Sequence, residues 1–193
     1  MLGRLGQRIC TALTGAGIID PKDADIYLYG INQVLNIGVN IATTVLIGLC
    51  FGMVWESLLF LLVYIPLRTA AGGFHTSTPL RCYVASSALI VAVLAVLRWL
   101  PFRSVSYLIG LFTGCVVVCL FAPVADQNKP FTSLEKRCFR RRSRIILLAE
   151  VTFVFLFHAL GMDTVARCLL LSVVAVAFML LLGSIKNYVL ENF

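Results

Sequence analysis

The chain is 193 residues long, 60% hydrophobic and only 13% charged, and it carries a formal net charge of +7. A soluble domain has about 45–50% apolar and about 25% charged residues, so this composition excludes an ordinary soluble protein and is typical of an integral membrane protein. We therefore predict one all-α membrane domain over residues 1–193, with the lipid bilayer as its surroundings and no nucleic-acid partner.

The first twenty residues predict an amphipathic helix rather than a cleaved signal peptide, because apolar and polar positions alternate and no single apolar core forms. Apolar side chains share one helical face: Leu2, Leu5, Ile9, Ala12 and Leu13. Polar and basic side chains occupy another face: Arg4, Gln7, Arg8 and Thr11. Over residues 1–20, such a helix suits the surface of an anionic membrane. The alternative is a short helix packed on the bundle.

Six apolar stretches follow, and a membrane-crossing helix needs about 20 apolar residues. They are residues 31–51, 53–67, 81–100, 104–123, 145–161 and 166–185. We predict a polytopic bundle of about six transmembrane helices, with four spans in 31–123 and two in 145–185. The linkers are short except 124–144, which we predict to be a basic cytoplasmic loop.

The basic residues predict the orientation of this bundle, since Lys and Arg concentrate on the cytoplasmic side of membrane proteins. With the amino terminus in the cytoplasm, only Arg98, Arg103 and Arg167 of the 16 Lys and Arg residues lie outside. We therefore expect both termini and the segment KRCFRRRSR on the cytoplasmic side. The linker between the second and third spans lies on that side too.

That linker, RTAAGGFHTSTPLRC from Arg68 to Cys82, places reactive residues between two apolar stretches. His75 and Cys82 are seven residues apart, or about 10.5 Å along a straight helix, so they meet only if the helix is broken. The pair Gly72-Gly73 permits a positive φ and supplies one such break. The sequence therefore favours a chain that folds back on itself here.

A second helix signal follows the break. Pro79 disfavours helical backbone at the residue before it, and it suits the first position of a new helix. Ser77 or Thr78 is a natural N-cap for that helix. We predict that the helix begins at Pro79 and that Cys82 lies in its first turn.

Cys82 and His75 then form a candidate nucleophile and base, because a helix N-terminus stabilises a thiolate and an adjacent histidine accepts its proton. The plain alternatives are a cysteine that only fills space and a histidine that lies at the interface. One Cys and one His are too few ligands for zinc, so we expect no metal and no cofactor. The seven cysteines, an odd number, make a disulfide framework unexpected.

The arrangement RxxxGGxHxxxxxxC, formed by Arg68, Gly72, Gly73, His75 and Cys82, resembles the accessory gene regulator B (AgrB) family of bacterial membrane cysteine endopeptidases. The segment APVADQNKP and the six-span plan are similar to this family too. The resemblance implies that His75 and Cys82 are the catalytic pair and that Arg68 and Gly73 are required. It also implies a bacterial plasma membrane, with the catalytic segment on the cytoplasmic side.

The resemblance further implies a reaction in quorum sensing. A short precursor peptide with an acidic C-terminal tail docks at the cytoplasmic face, and the cysteine releases the tail and holds the rest as a thioester. A Cys or Ser of the precursor then closes a thiolactone or lactone ring. A site at the membrane boundary helps to keep water from the thioester.

Polar residues in the first span are candidates for a supporting role. Asn32, Asn36, Asn40 and Thr44 are spaced by four, and Gln33 joins them at the cytoplasmic end. One interpretation is that Asn32 or Gln33 orients His75. The alternative is ordinary interhelical hydrogen bonding, worth about 0.6 kcal/mol on average in membranes.

The basic segment offers a second candidate surface. Lys129, Arg140, Arg141 and Arg142 are expected to attract an acidic peptide tail. The alternative is that these cations only set topology and contact anionic lipid.

Two rival functions remain open at the level of sequence. A non-proteolytic peptide exporter would also have a basic vestibule and polar span residues. A membrane scaffold would use Gly110 and Gly114, spaced as GxxxG, for close helix approach within the fold or in a homodimer.

Glu150, in the fifth span, is expected to reach the interface and pair with Arg144 or its neighbours.

Overall fold

The computed structural model describes residues 2–74, 78–100, 104–125 and 131–192. Within these ranges the fold is all-α, as predicted, apart from an isolated parallel bridge between Gly72 and Val124. The helices are α1 (Leu2–Gly15), α2 (Ala24–Phe51), α3 (Val54–Ala71), α4 (Pro79–Trp99), α5 (Ser104–Phe121), α6 (Ser133–Ala159) and α7 (Asp163–Asn192). A 3-10 turn, Pro21–Asp23, precedes α2.

Helix α7 is the centre of the fold and packs against α3, α5 and α6. Its side chains Val173, Val176 and Leu180 are fully buried. The glycine pair of α5 lies on this helix, because a Cβ at Gly114 would come within 3.0 Å of Val173 Cγ1. The GxxxG motif therefore packs within the fold, while a homodimer remains a prediction.

Among the described residues, four helices are long and apolar enough to cross a membrane: Pro21–Phe51, Val54–Ala71, Leu80–Trp99 and Asp163–Val189. Ser106–Phe121 is a shorter apolar helix. This agrees with an all-α membrane protein. The count of six spans and their orientation stay predictions.

Residues 124–144 were predicted to be a basic loop, but the structure differs, because α6 is helical from Ser133. Thr132 and Glu135 form a capping box that starts this helix, with Thr132 N–H donating to Glu135 Oε2 at 2.9 Å. Arg and Lys are good helix formers, so the cationic run continues the helix into the apolar part. We call residues 133–144 the basic half of α6.

Helix α1 packs on the bundle, which is one of the two alternatives considered for it. Gly6 and Cys10 are buried, and the Cys10 thiol lies 3.3 Å from the carbonyl oxygen of Ala24 at the start of α2. The polar face is exposed: Arg4, Gln7, Arg8 and Thr11. The helix is therefore packed on α2 with its basic face outward, and its contact with a membrane surface remains a prediction.

The expectation that Glu150 reaches the interface and pairs with Arg144 is wrong. Glu150 is 5% exposed, and neither carboxylate oxygen has a hydrogen-bond partner among the described residues. Ser172 of α7 is also buried with an unpaired hydroxyl. Glu150 points toward the centre of the bundle because α7 packs along this side of α6.

Candidate active site

The chain leaves α3 through two glycines in unusual backbone conformations. Gly72 has φ 72° and ψ −147°, and Gly73 has φ 116°. Side-chain-bearing L residues rarely adopt such values, so the Gly-Gly pair is required by the backbone itself. We call Gly72, Gly73 and Phe74 the glycine segment.

The glycine segment is hydrogen-bonded to the stretch that joins α5 to α6. Gly73 N–H donates to the carbonyl oxygen of Val124 at 3.2 Å, and Val124 N–H donates to that of Ala71 at 3.0 Å. A Cβ at Gly72 would lie far inside van der Waals contact with Val124 O. The close approach of these two backbone segments therefore depends on the absence of a side chain at Gly72.

Arg68, in the last turn of α3, supports the same segment from inside. Its Nη1 donates to the carbonyl oxygen of Gly72, and its Nη2 donates to that of Phe74 at 2.6 Å. Such hydrogen bonds from a charged donor are about twice as strong as neutral ones. Arg68 thus braces the backbone of the glycine segment, while its role in a reaction stays a prediction.

Cys82 lies in the first turn of α4, which begins at Pro79 as predicted. Thr78 is the N-cap, and its side chain accepts a hydrogen bond of 3.4 Å from Arg81 N–H. The Cys82 N–H donates to Thr78 O at 3.1 Å. The thiol is free and the residue is exposed. A helix N-terminus favours negative charge at this position.

A cavity of about 470 Å³ joins these elements. Arg68, Gly72, Phe74 and Cys82 line one part of it, and Val124 contributes to the wall. The remaining lining is largely apolar and aromatic, from Tyr64, Ala85, Leu89, Phe131, Phe139 and Met179, and Thr69 and Ser86 add two polar side chains. The structure thus brings together three of the predicted residues, Arg68, Gly72 and Cys82, in one apolar pocket.

His75 and Lys129 lie outside the described residues, so their predicted roles remain predictions.

The polar residues of α2 that are candidates for orienting His75 lie away from this cavity. The side-chain oxygen of Asn32 faces Gly6 of α1, Gln33 is exposed, and neither residue lines the cavity. Further along the stripe, Asn40 Nδ2 donates to Asn36 O at 2.8 Å within the helix. Whether Asn32 or Gln33 orients His75 stays a prediction.

Arg140, Arg141 and Arg142 are exposed on the basic half of α6. Phe139, the residue before them, lines the cavity and stacks on Phe131 with ring centroids 5.0 Å apart. The arginine run therefore follows a residue of the pocket wall in the chain, but none of the three arginines lines the pocket itself.

Sequence reasoning missed the contribution of α7. Phe74 N–H donates to Met179 O at 2.9 Å, and the Gly73–Phe74 backbone lies directly against Gly183. The one available signal was Gly183 itself, because a small residue inside a long apolar helix permits close approach of another backbone.

The family model described as Accessory gene regulator B matches residues 7–181. The chain belongs to the accessory gene regulator B family. Membership in the AgrB family indicates a part in the processing of quorum-sensing peptides, and it agrees with the membrane-protein fold described above.

Two curated relatives are similar along most of their length. An AgrB-like protein of Clostridium perfringens (strain SM101 / Type A) is 25% identical over 190 residues, covering 92% of this chain and 89% of the relative. AgrB-like protein 2 of C. perfringens (strain 13 / Type A) is 24% identical over 186 residues, covering 90% of this chain and 86% of the relative. No solved structure matches the chain at a significant level.

Proposed function

We propose that this protein is a membrane cysteine endopeptidase that cleaves the C-terminal tail from a short signalling-peptide precursor and promotes its cyclisation. One observation carries the proposal: Cys82, exposed at the N-terminus of α4, shares a cavity with the glycine segment that leads directly into His75. Membership in the AgrB family supports the same activity.

In the acylation step, His75 takes the proton from the Cys82 thiol, and the thiolate attacks the carbonyl carbon of the scissile peptide bond. The C–N bond breaks, and the protonated His75 gives its proton to the leaving amine of the tail. The precursor remains attached to Cys82 as a thioester.

In the ring-closing step, a Cys or Ser of the same precursor attacks the thioester carbonyl. The C–S bond to Cys82 breaks, the thiol is regenerated with the proton lost by the attacking group, and the product is a thiolactone or lactone. The apolar walls formed by Leu89, Phe131 and Phe139 limit water at the thioester, which favours ring closure over hydrolysis.

The basic half of α6 is proposed to dock the acidic tail. Its cations adjoin the cavity wall at Phe139, so a tail bound along this helix would lead into the pocket. Lys129 is proposed to belong to the same surface. The orientation that suits this reaction has six spans, both termini in the cytoplasm and the cavity on the cytoplasmic side of the plasma membrane.

The test is to trap the thioester. Replacement of the precursor's internal Cys or Ser by Ala blocks ring closure, so a covalent precursor–enzyme adduct should accumulate. The adduct should be labile to hydroxylamine, and mass spectrometry should place it on Cys82. The His75→Ala variant should form almost none, because the thiol loses its base.

Two results would overturn the proposal. One is an adduct on another of the seven cysteines. The other is full removal of the tail by a correctly inserted Cys82→Ala variant, which would favour a transport or scaffolding role.

A further inference from the structure

The C-terminal part of α7 presents four residues on one face toward the glycine segment and the adjoining residues Val124 and Ala125. They are Met179, Gly183, Lys186 and Asn187, which we call the docking face of α7. The spacing of four, three and one residues places them on a single helical stripe.

Gly183 makes the closest contact of this face. A Cβ at Gly183 would lie 2.6 Å from Phe74 N and 2.7 Å from Gly73 C. Both neighbours are backbone atoms, so they would have to move for any side chain to fit. The glycine segment is therefore seated directly on the helix backbone at this position.

Two further contacts extend the face by one turn. The ammonium of Lys186 lies over the ring of Phe74, 5.6 Å from its centroid, which is within the range of a cation–π interaction. Asn187 Nδ2 donates to the carbonyl oxygen of Ala125 at 3.1 Å. Ala125 follows Val124, the residue whose backbone pairs with Gly73.

Each side of the glycine segment is thus held by α7, directly at Phe74 and indirectly through Val124 and Ala125. The next residue in the chain is His75, the proposed base. The matched region of the AgrB family ends at residue 181, so the family likeness assigns no role to Gly183, Lys186 or Asn187.

We propose that Gly183, Lys186 and Asn187 are positioning residues: they fix the glycine segment, which leads into the proposed base His75, beside the cavity that contains Cys82. This inference rests on the proposed function. Cys82 lies on α4, and the contacts described above for the docking face do not involve α4. Loss of these contacts should therefore displace the base and leave the nucleophile in place.

The first variant is Gly183→Ala. A displacement of about 1 Å in a catalytic group costs on the order of 100-fold in rate, so we expect the acylation rate at saturating precursor to fall by about 10–100-fold. The KM should change by less than about threefold, since none of the contacts described for the docking face involves Arg140, Arg141 or Arg142.

The matched control is Gly38→Ala. Gly38 is also a glycine inside a long apolar helix, but a Cβ there meets nothing within 4 Å. Alanine favours helix by about 1 kcal/mol over glycine, so both variants gain helix propensity. A loss confined to Gly183→Ala therefore reports the close contact rather than helix stability.

A second readout does not depend on proteolysis. The alkylation of Cys82 by iodoacetamide is measured against pH in the full-length protein, with peptide mass spectrometry and with the exposed Cys138 as internal standard. The Gly183→Ala profile should move toward that of His75→Ala, whereas Gly38→Ala should match the wild type. A variant that merely unfolds would change the profile of Cys138 as well.

Lys186 supplies a milder pair of variants in case Gly183→Ala does not insert. Lys186→Met removes the cation above Phe74 and should lower the acylation rate, and Lys186→Arg should restore most of it. Wild-type rates and alkylation profiles for both Gly183→Ala and Lys186→Met would overturn the inference. If Cys82→Ala itself still cleaves the tail, the proposed function fails instead, and the two failures are distinct.

Discussion

The guanidinium of Arg68 donates a hydrogen bond of 2.6 Å to the carbonyl oxygen of Phe74, six residues further along the chain. The same group also bonds to the carbonyl oxygen of Gly72. One side chain therefore spans the turn that joins α3 to His75. A planar fork with several donors suits this task, whereas an ammonium is a point donor on a flexible stem.

The first prediction follows from this fork. Arg68→Lys should lower tail cleavage by about tenfold or more, because a hydrogen bond to a charged group contributes about 1.5–3 kcal/mol and lysine cannot span both carbonyls. The matched control is Arg81→Lys, at an exposed position in the first turn of α4 beside Cys82. Cleavage assays on membranes with equal protein content check this, and equal rates for the two variants would contradict it.

The second prediction separates the backbone strain of Gly72 from its close contact. Gly72→Ala and Gly17→Ala both place a side chain at φ near +70°, but only Gly72 lies against another backbone segment, since a Cβ at Gly17 meets nothing within 4 Å. Left-handed backbone costs an L residue about 1–2 kcal/mol, and the ψ of −147° at Gly72 adds to that strain because this region is nearly restricted to glycine. We expect Gly72→Ala to abolish cleavage and Gly17→Ala to retain it. Similar cleavage by both variants would show that the contact with Val124 is dispensable.

The third prediction concerns the basic half of α6. Charge reversal at Arg140, Arg141 and Arg142 should weaken processing of a precursor with an acidic tail and make it less sensitive to salt. Reversal of Arg4 and Arg8 on the exposed face of α1 is the control for net charge. Processing is measured over a range of ionic strength after the orientation of each variant has been checked. Unchanged salt dependence in the α6 variant would leave these arginines a topological role only.

The fourth prediction compares two carboxylates on α6. Glu150 is buried without a partner among the described residues, so Glu150→Met should stabilise the fold by about 1–3 kcal/mol and leave cleavage intact. Glu135 completes the capping box with Thr132, so Glu135→Ala should destabilise it by about 0.5–2 kcal/mol. Thermal unfolding in detergent tests whether the two substitutions change the stability of the fold in opposite directions. Loss of cleavage in a stable Glu150→Met protein would assign Glu150 a part in the reaction.

The local features of the site could be predicted from sequence. Pro79 and Thr78 specify the start of α4 through restrictions on their own backbone, and the start is confirmed. Gly72 and Gly73 likewise predict a break, and both have positive φ. These signals concern residues adjacent in the chain, so no knowledge of packing was needed.

Features that depend on distant parts of the chain were missed or wrong. Nothing near Glu150 shows that α7 covers it, and the expected pairing with Arg144 was wrong for that reason. The dense charge of residues 133–144 suggested a loop, although Arg and Lys are compatible with helix once a capping box starts it. The support from Gly183 was not found because its partner, Phe74, is more than a hundred residues earlier.

That last separation has a consequence for the order of synthesis. The ribosome delivers Arg68 to Cys82 well before α7, the helix on which this stretch rests. Until α7 has entered the membrane, Phe74 N–H lacks its acceptor on Met179 and the glycine segment lacks the surface at Gly183. The nascent chain therefore carries the Cys82 thiol before the glycine segment is held in place by α7.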